Sequence, residues 1–243
     1  MNNENFNGLT LYILASNETE SLNETVDDVL KSKFASQIKN IKIVLKSKNC
    51  KSYQTAIEIS EKENKIEIYI QKSENLVGCI GELPPLTETS HFIIMAGDGE
   101  MSPSMLDELI PLAKASPKAI ITASKWLEKS EVSGYNGIKS FLNKSCNGFV
   151  SLLFKRKVTD VFSIFKIYPM WVYNQFDFQV KSYLYTSSIL PLSQGVEYRE
   201  IPTIYTKRLE GRSNFSPVYV MLVGIKFIYW CFNIKLKGRR LKA

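Results

Sequence analysis

The chain has 243 residues, of which 44% are hydrophobic and 23% are charged, so it can bury one large core and is not wholly disordered. Its four cysteines lie far apart without a Cys-x-x-Cys pair, which argues against a zinc centre, and its N-terminus lacks the pattern of a secretory signal, so we expect a cytoplasmic protein. The net charge of +7 favours an anionic partner, and because the motifs of nucleic-acid-binding modules are missing, we expect nucleotide phosphates or an anionic membrane and no nucleic acid.

Short apolar, β-branched runs alternate with helical patterns through the first half of the chain. The predicted strands are Leu9–Ala15, Ile41–Leu45, Ile66–Ile70, Phe92–Ala96 and Ala119–Ser124. The predicted helices run from Glu20 to about Phe34, from Ser52 to about Lys62, from Ser73 to Leu83 and from Pro103 to Ala115. This alternation predicts an α/β fold with a Rossmann-like, mainly parallel sheet flanked by helices. Ligands of such sheets bind beyond the carboxyl ends of the strands.

The second half of the chain has longer predicted elements. Helices are predicted from Gly137 to about Lys155 and from about Val172 to Tyr185, and the loop KRKVTDVFSIFKIYP lies between them. Val196–Arg208 alternates like a strand, and the polar loop LEGRSNFSP follows it.

A long apolar run, Val218–Leu236, ends the chain before a basic tail. Its length is close to that of a spanning helix, but the central Lys226 would be costly in the bilayer core. An interfacial helix lets Lys226 reach the headgroups and brings the tail against anionic lipid. We therefore predict peripheral attachment to the inner face of the membrane, with a core helix or a homodimer contact as the alternative.

The stretch FIIMAGDGEMSP places two carboxylates directly after a buried strand. Asp98 and Glu100 are hard oxygen ligands of the kind that Mg²⁺ and Mn²⁺ prefer. An ordinary strand–helix turn would also use Asp98, and the dipole of the next helix would favour Glu100. The only histidine, His91, precedes this strand, and we do not expect it to act in catalysis.

Five stretches of the chain carry polar residues that form a recognisable series: Ile13–Leu22, Met95–Pro103, Ala123–Trp126, Val158–Tyr168 and Glu200–Phe215. In this order they resemble the motifs of family 2 glycosyltransferases of the A-type fold, most nearly the branch of dolichyl-phosphate mannose synthases and polyprenyl-phosphate sugar transferases. The resemblance covers about residues 9–216. It implies a catalytic domain over residues 1–216 and a C-terminal helix and tail over 217–243 that associate with a membrane or a partner.

The resemblance also implies roles for individual residues. The implied nucleotide-sugar-binding residues are Ala15, Asn17, Glu18, Asp98 and Lys125. The implied phosphate- or acceptor-binding residues are Ser163, Lys166, Arg208, Arg212 and Ser213. The implied catalytic residues are Asp98 and Asp160, and the implied ligands of Mg²⁺ or Mn²⁺ are Asp98 and Glu100.

Together these roles imply transfer of a sugar, with inversion, from a UDP-, GDP- or dTDP-sugar to a lipid-phosphate or cell-envelope glycan acceptor, as in polysaccharide biosynthesis. A divalent metal would neutralise the charge of the departing diphosphate. An alcohol acceptor would need a general base, for which Asp160 is the first candidate, whereas a lipid phosphate is already ionised.

Two departures from the family pattern support an alternative. Ala96 stands where the family has its first metal-region Asp, and the turn Lys46–Ser52 has no carboxylate where the family has an acidic one. A degenerate transferase that acts as a binding or scaffolding module would show the same departures.

Overall fold

The computed structural model describes residues 5–134, 137–176, 183–209 and 217–237. The strands in these ranges are β1 Leu9–Ala15, β2 Ile38–Leu45, β3 Ile66–Ile70, β4 His91–Ala96, β5 Ile120–Ser124, β6 Glu131–Val132, β7 Lys166–Pro169, β8 Tyr198–Pro202 and β9 Ile204–Tyr205. The helices are α1 Glu20–Lys31, α2 Ser52–Lys62, α3 Leu76–Glu82, α4 Leu106–Ala115, α5 Gly137–Phe154, α6 Met170–Gln175, α7 Tyr183–Ser193 and α8 Pro217–Lys237.

Seven strands form one sheet in the order β3-β2-β1-β4-β7-β5-β8. All neighbouring pairs are parallel except those that β7 makes with β4 and β5. The predicted mainly parallel sheet is therefore confirmed. The carboxyl ends of β1, β2, β4, β5 and β8 consequently lie along one edge, where a ligand site of such a sheet is expected.

Both faces of the sheet are buried, which is why its strands are apolar on both sides. Leu11 and Ile13 of β1 face a core that α1, α2 and α4 complete, whereas Tyr12 faces a second core built with α3, α5, α7 and α8. Tyr12 is fully buried and donates its hydroxyl hydrogen to the Leu83 carbonyl at 2.8 Å, so its polar atom is satisfied.

The largest differences between the predicted and the observed elements lie in the second half of the chain. The single helix predicted over about 172–185 is wrong: α6 ends at Gln175, Phe176 is extended, and α7 begins at Tyr183, with 177–182 outside the described residues. The predicted strand Val196–Arg208 breaks at Thr203 into β8 and β9. Pro202 has no N–H to continue a ladder, and β9 leaves the main sheet to pair with β6. The short strand β7 lies inside a predicted loop, because four residues are too few to show a period.

The C-terminal helix α8 packs on the main body through one face. Phe227, Cys231 and Ile234 are buried in the second core. Within the ranges that the structure describes, no helix has the length and the hydropathy needed to cross a bilayer.

His91 lies at the amino end of β4, at the opposite edge from Asp98, and is buried. The Ser90 hydroxyl lies 2.8 Å from Nδ1, and Nε2 lies 2.9 Å from the Pro117 carbonyl. A carbonyl can only accept, so Nε2 carries the hydrogen and Nδ1 accepts from Ser90. Burial lowers the pKa of His91 to about 4, because the imidazolium would lose its hydration. This histidine is a satisfied core residue.

We predict that His91 makes the fold sensitive to acid. Because its folded-state pKa lies below its unfolded value, the unfolded chain takes up the proton first, and stability present above about pH 6.5 is lost on acidification toward pH 4. The expected loss is about 3 kcal/mol in the free energy of unfolding between pH 7 and pH 4. Urea unfolding of the wild type and His91→Gln at both pH values measures it. Equal pH dependence in the two proteins would contradict the assignment.

Candidate active site

The loop after β4 holds the two predicted metal-binding carboxylates. Gly99 has a φ of +77°, a backbone conformation that L side chains rarely adopt, and the N–H of Glu100 donates to Asp98 Oδ1 at 3.1 Å. Gly97 lets the loop pass close to the core, since a Cβ there would come within 3.0 Å of Leu22. The Gly-Asp-Gly sequence thus turns the chain so sharply that Asp98 and Glu100 stay at the sheet edge.

Arg208 binds both carboxylates. Its Nε lies 2.7 Å from Glu100 Oε1 and 3.3 Å from Asp98 Oδ2, and its Nη2 donates to Glu100 Oε2 at 3.1 Å. The backbone reinforces this contact, because Leu209 N donates to the Asp98 carbonyl at 3.1 Å and Thr206 N to the Glu100 carbonyl at 3.0 Å. Three residues that the sequence analysis assigned to a metal and a phosphate are therefore brought together, although about a hundred residues of chain separate them.

Burial makes the ionised form of the Asp98 carboxylate unfavourable. Its residue is only 3% exposed, and burial, followed by the charge of Glu100, raises its pKa to about 6, against the opposing effect of Arg208. The Arg208 pKa is raised in turn: burial works against its charge, but the hydrogen bond to Glu100 and the charge of Asp98 outweigh it. A buried, partly compensated charge of this kind is typical of a functional site.

A second charged pair lies at the end of β5. Lys125 Nζ lies 2.7 Å from Asp160 Oδ2, and the Lys125 backbone N–H donates to the same oxygen at 3.1 Å. The side chain of Asp160 is fully buried, and its Oδ1 has no hydrogen-bond partner within the described residues. A buried carboxylate oxygen without a partner is uncommon in folded proteins.

Glu200 of β8 fixes the position of Asp160. Its carboxylate accepts hydrogen bonds from Thr159 N at 2.8 Å, from Thr159 Oγ1 at 2.9 Å and from Asp160 N at 2.9 Å. Burial raises the Glu200 pKa, and these hydrogen bonds oppose the shift. Glu200 was not among the predicted site residues, because it stood in a strand pattern.

Tyr205 connects the two pairs. It forms an isolated antiparallel bridge with Met101, next to Glu100, and its ring centroid lies 5.4 Å from Lys125 Nζ. The site therefore runs without a break from the Asp98 loop, through Arg208 and Tyr205, to Lys125 and Asp160. Nothing in the sequence pattern distinguished Tyr205 from the other aromatic residues.

The predicted residues of the first turn lie at the same sheet edge. Ala15 is the buried last residue of β1, and Asn17 is exposed beyond it. Glu18 Oε2 accepts from Asn17 N at 2.8 Å, and its charge is close enough to raise the pKa of Asp98, as the smallest of the contributions.

The structure does not bring every predicted residue to the site. Lys166, predicted to bind phosphate, points into the protein: its Nζ donates to the Val161 carbonyl at 3.1 Å and to Ser188 Oγ at 2.7 Å. Burial lowers its pKa to about 8, and we correct its role to a structural one. Ser163 is also buried, 3.5 Å from the Phe165 carbonyl. Arg212 and Ser213 lie outside the described residues.

The donor set suits a divalent cation that brings ligands of its own. No group of three or more His, Cys, Asp or Glu side chains that could hold a metal occurs among the residues that the structure describes. Two carboxylates are nevertheless adequate for Mg²⁺ or Mn²⁺ when phosphate oxygens and water complete the coordination. Because Arg208 now neutralises both carboxylates, a metal can use them only after the guanidinium has moved away.

A shallow cavity of about 550 Å³, open to solvent, lies between α5 and the segment that precedes Asp160. Four cations line it: Lys144, Lys155, Arg156 and Lys157. Lys144 Nζ lies 4.9 Å from the ring centroid of Trp126, which also lines the cavity. None of the lining residues is acidic, so the cavity attracts anions. The cations of the KRK run were not among the predicted site residues.

Comparison with known proteins supports the fold assignment. No protein-family model matches the sequence. Glucosyl-3-phosphoglycerate synthase from Mycobacterium tuberculosis, in complex with Mn²⁺, UDP-glucose and phosphoglyceric acid, has a similar structure: the TM-score is 0.67 at 10% identity, over 92% of this chain and 79% of that one. Its complex with phosphoglyceric acid alone gives a TM-score of 0.65 at 11% identity, over 93% and 80%. The complex with UDP gives 0.63 at 12% identity, over 93% and 80%. The predicted A-type glycosyltransferase fold is therefore confirmed.

Proposed function

We propose that the protein transfers a sugar from a nucleoside diphosphate sugar to an acceptor that carries negative charge. The observation that carries this proposal is the pair Asp98 and Glu100, held with Arg208 and Lys125 at the carboxyl edge of a sheet with this fold. The structural neighbours, which bind Mn²⁺, UDP-glucose and phosphoglyceric acid, support it by analogy.

Donor binding would use the acidic loop and two cations. Asp98 and Glu100 would hold Mg²⁺ or Mn²⁺, which when bound supplies positive charge to the departing diphosphate. Arg208, once released from the carboxylates, matches phosphate oxygens with its planar fork. Lys125 adds a point charge from the other side of Tyr205. Ala15, Asn17 and Glu18 at the end of β1 would line the nucleotide pocket.

Acceptor binding would use Asp160 and the cavity beside it. Thr159 lines the cavity, and the next residue is the buried Asp160, whose Oδ1 is without a partner in the described structure. Asp160 would accept the proton of an attacking hydroxyl, and an attacking phosphate oxygen would need no base. Four cations in the cavity would hold a phosphate of the acceptor.

A lipid phosphate or a cell-envelope glycan is the acceptor that we favour, in a reaction that inverts the anomeric carbon. Residues 1–216 would then form the catalytic domain, and residues 217–243 would attach it to the cytoplasmic face of the membrane where such an acceptor is exposed. The resemblance to the polyprenyl-phosphate branch of family 2 supports this choice.

A binding protein without catalytic activity is the second candidate. Ala96 replaces an expected acid, the turn after β2 has no carboxylate, and Arg208 already neutralises Asp98 and Glu100. Such a protein would bind a nucleotide sugar and leave it intact.

Calorimetric titration with UDP-, GDP- and dTDP-sugars, each with Mn²⁺ or Mg²⁺, tests the proposal. We expect one donor to bind in a metal-dependent manner and to be turned over when an acceptor is added. Failure of every donor to bind would contradict both candidates, whereas binding without turnover of any phosphate-bearing acceptor would support the second.

The cavity makes a separate prediction about the acceptor. We expect Lys144→Gln with Lys157→Gln to raise the KM for a phosphate-bearing acceptor at least about tenfold, because a hydrogen bond to a charged group contributes about 1.5–3 kcal/mol. The KM for the donor should stay unchanged. Steady-state kinetics measure both constants, with Lys62→Gln on the exposed end of α2 as the control. Equal acceptor constants in the two proteins would contradict the role of the cavity.

A further inference from the structure

The outer face of α8 carries an exposed apolar stripe. Its members are Leu222, Ile225, Tyr229, Phe232 and Leu236, whose exposed fractions range from 45% to 81%. They are spaced alternately by three and four residues, so they share one side of the helix. The opposite side is the one that buries Phe227, Cys231 and Ile234. A core helix needs only one apolar face, and the second one is therefore unexplained by folding.

Helix α5 extends this apolar surface. Ile138, Phe141 and Leu152 are 62%, 71% and 80% exposed, and their spacing also places them on one side of their helix. The rings of Phe149 and Phe232 join the two helices, with centroids 5.6 Å apart. We call the exposed apolar side chains of α5 and α8 the docking face.

The charge around the docking face has one sign. Residues 137–157 contain five Lys or Arg and residues 217–237 contain three, and neither segment contains an Asp or Glu. Lys226 and Lys235 are exposed, and at 100° per residue they lie on opposite sides of the α8 stripe. Lys235 is held beside α5, because its Nζ donates to the Leu153 carbonyl at 3.0 Å.

This positive charge favours an anionic membrane over a second copy of the chain as the partner of the docking face. In a symmetric dimer the same patch meets itself, so its cations would face cations without any acid to offset them. The surface of an anionic bilayer has the opposite charge, and it accepts an apolar helix face into its headgroup boundary. Long lysine side chains at the edges of the face can reach the headgroups while their stems cover apolar surface.

We propose that α5 and α8 together form a face that binds the surface of an anionic membrane. Leu222, Ile225 and Phe232 lie at the acyl boundary, Tyr229 at the headgroups, and Lys226 and Lys235 against lipid phosphates. Both helices take part, whereas the sequence pattern predicted attachment through the C-terminal segment alone.

The docking face also bears on the substrate, and this step rests on the proposed function. Leu152 belongs to the face and also lines the cationic cavity. A protein bound through this face presents the cavity to the lipid surface, so the phosphate of a lipid-linked acceptor reaches Lys155 and Lys157 without leaving the membrane.

Vesicle flotation of the full chain tests the proposal. The vesicles contain phosphatidylcholine with or without phosphatidylglycerol, and the test variant combines Ile225→Glu with Tyr229→Glu. Truncation of the helix would not serve, because it removes the buried Phe227 and Cys231 from the core. Leu76→Glu, at an apolar residue that is 37% exposed on α3 and outside the face, is the matched control.

We expect the wild type and the control to float only with the anionic vesicles, and the test variant to bind at least about tenfold more weakly. Raised salt should weaken wild-type binding. Equal binding of wild type and test variant would overturn the proposal. So would a lipid-independent dimer in sedimentation that the same two substitutions dissociate, since a second copy would then cover the face. Flotation needs no activity, so its failure leaves the donor-binding result untouched.

Discussion

We expect substitution of Asp98 by Asn to lower turnover of a nucleotide sugar by roughly 10²- to 10³-fold, the loss expected when one charge-stabilising group is removed from a reaction centre. The fold should lose no stability at pH 7. Because burial raises the pKa of Asp98 to about 6, its ionised form at neutral pH is held at a cost that Asn does not carry. Arg208 keeps both of its contacts with Glu100.

Turnover and urea unfolding, measured on the same preparation, separate these effects. Asp28→Asn is the control, because Asp28 is an exposed acid whose ion pair in the described residues is with Lys31 of α1. A residue whose replacement lowers activity without lowering the free energy of unfolding is typical of a functional site. Full activity in Asp98→Asn would show that the metal assignment is wrong.

The second large effect is expected from Glu200→Ala, which should lower the free energy of unfolding as well as turnover. The substitution takes the acceptor from Thr159 N and Asp160 N in a partly buried loop, whereas Thr159 Oγ1 keeps Ser124 Oγ, 2.6 Å away. At 1–3 kcal/mol for each unsatisfied group, the free energy of unfolding should fall by about 4 kcal/mol. Turnover should fall as well, because Asp160 loses the contact that fixes its loop.

Glu197→Ala provides the control for this measurement. Glu197 lies three residues earlier and is exposed. In the described part of the chain its side chain forms a surface ion pair with Arg199, so its removal should change stability by less than about 1 kcal/mol. Equal unfolding midpoints for the two variants would refute the structural role of Glu200. We expect the contrast with Asp98→Asn to distinguish the two acids, because only Glu200→Ala should lower the free energy of unfolding.

The sheet was predictable from the sequence because its signal is local. β1, α2 and β3 begin and end where the apolar periods predict. The sequence Gly-Asp-Gly likewise predicted a turn that carries acidic residues after β4. Gly99 suits this turn because its φ of +77° is a conformation that other residues rarely adopt. Short β7 gave no period, and the break between α6 and α7 depends on tertiary packing of Phe176, which is buried in the second core.

The charged contacts of the site were beyond prediction because they join distant segments. The motifs named Asp98, Glu100 and Arg208, but no pattern indicated that Arg208 would bind both acids. Lys166 shows the converse case: it matched a motif position, yet Val161 and Ser188 hold its ammonium inside the protein. The residue type at a motif position limits which contacts its side chain can make. The packing around it determines whether that side chain points into the site or into the core.

The central claim is that Asp98 and Glu100 hold a divalent cation together with a nucleoside diphosphate after Arg208 has released them. Titration of Mn²⁺ followed by electron paramagnetic resonance, with and without UDP, tests it most directly. We predict that UDP tightens Mn²⁺ binding at least about tenfold, because phosphate oxygens both draw Arg208 away and complete the coordination, and that Asp98→Asn abolishes this gain. Mn²⁺ binding that is unaffected by UDP, or equal in the wild type and Asp98→Asn, would contradict the account.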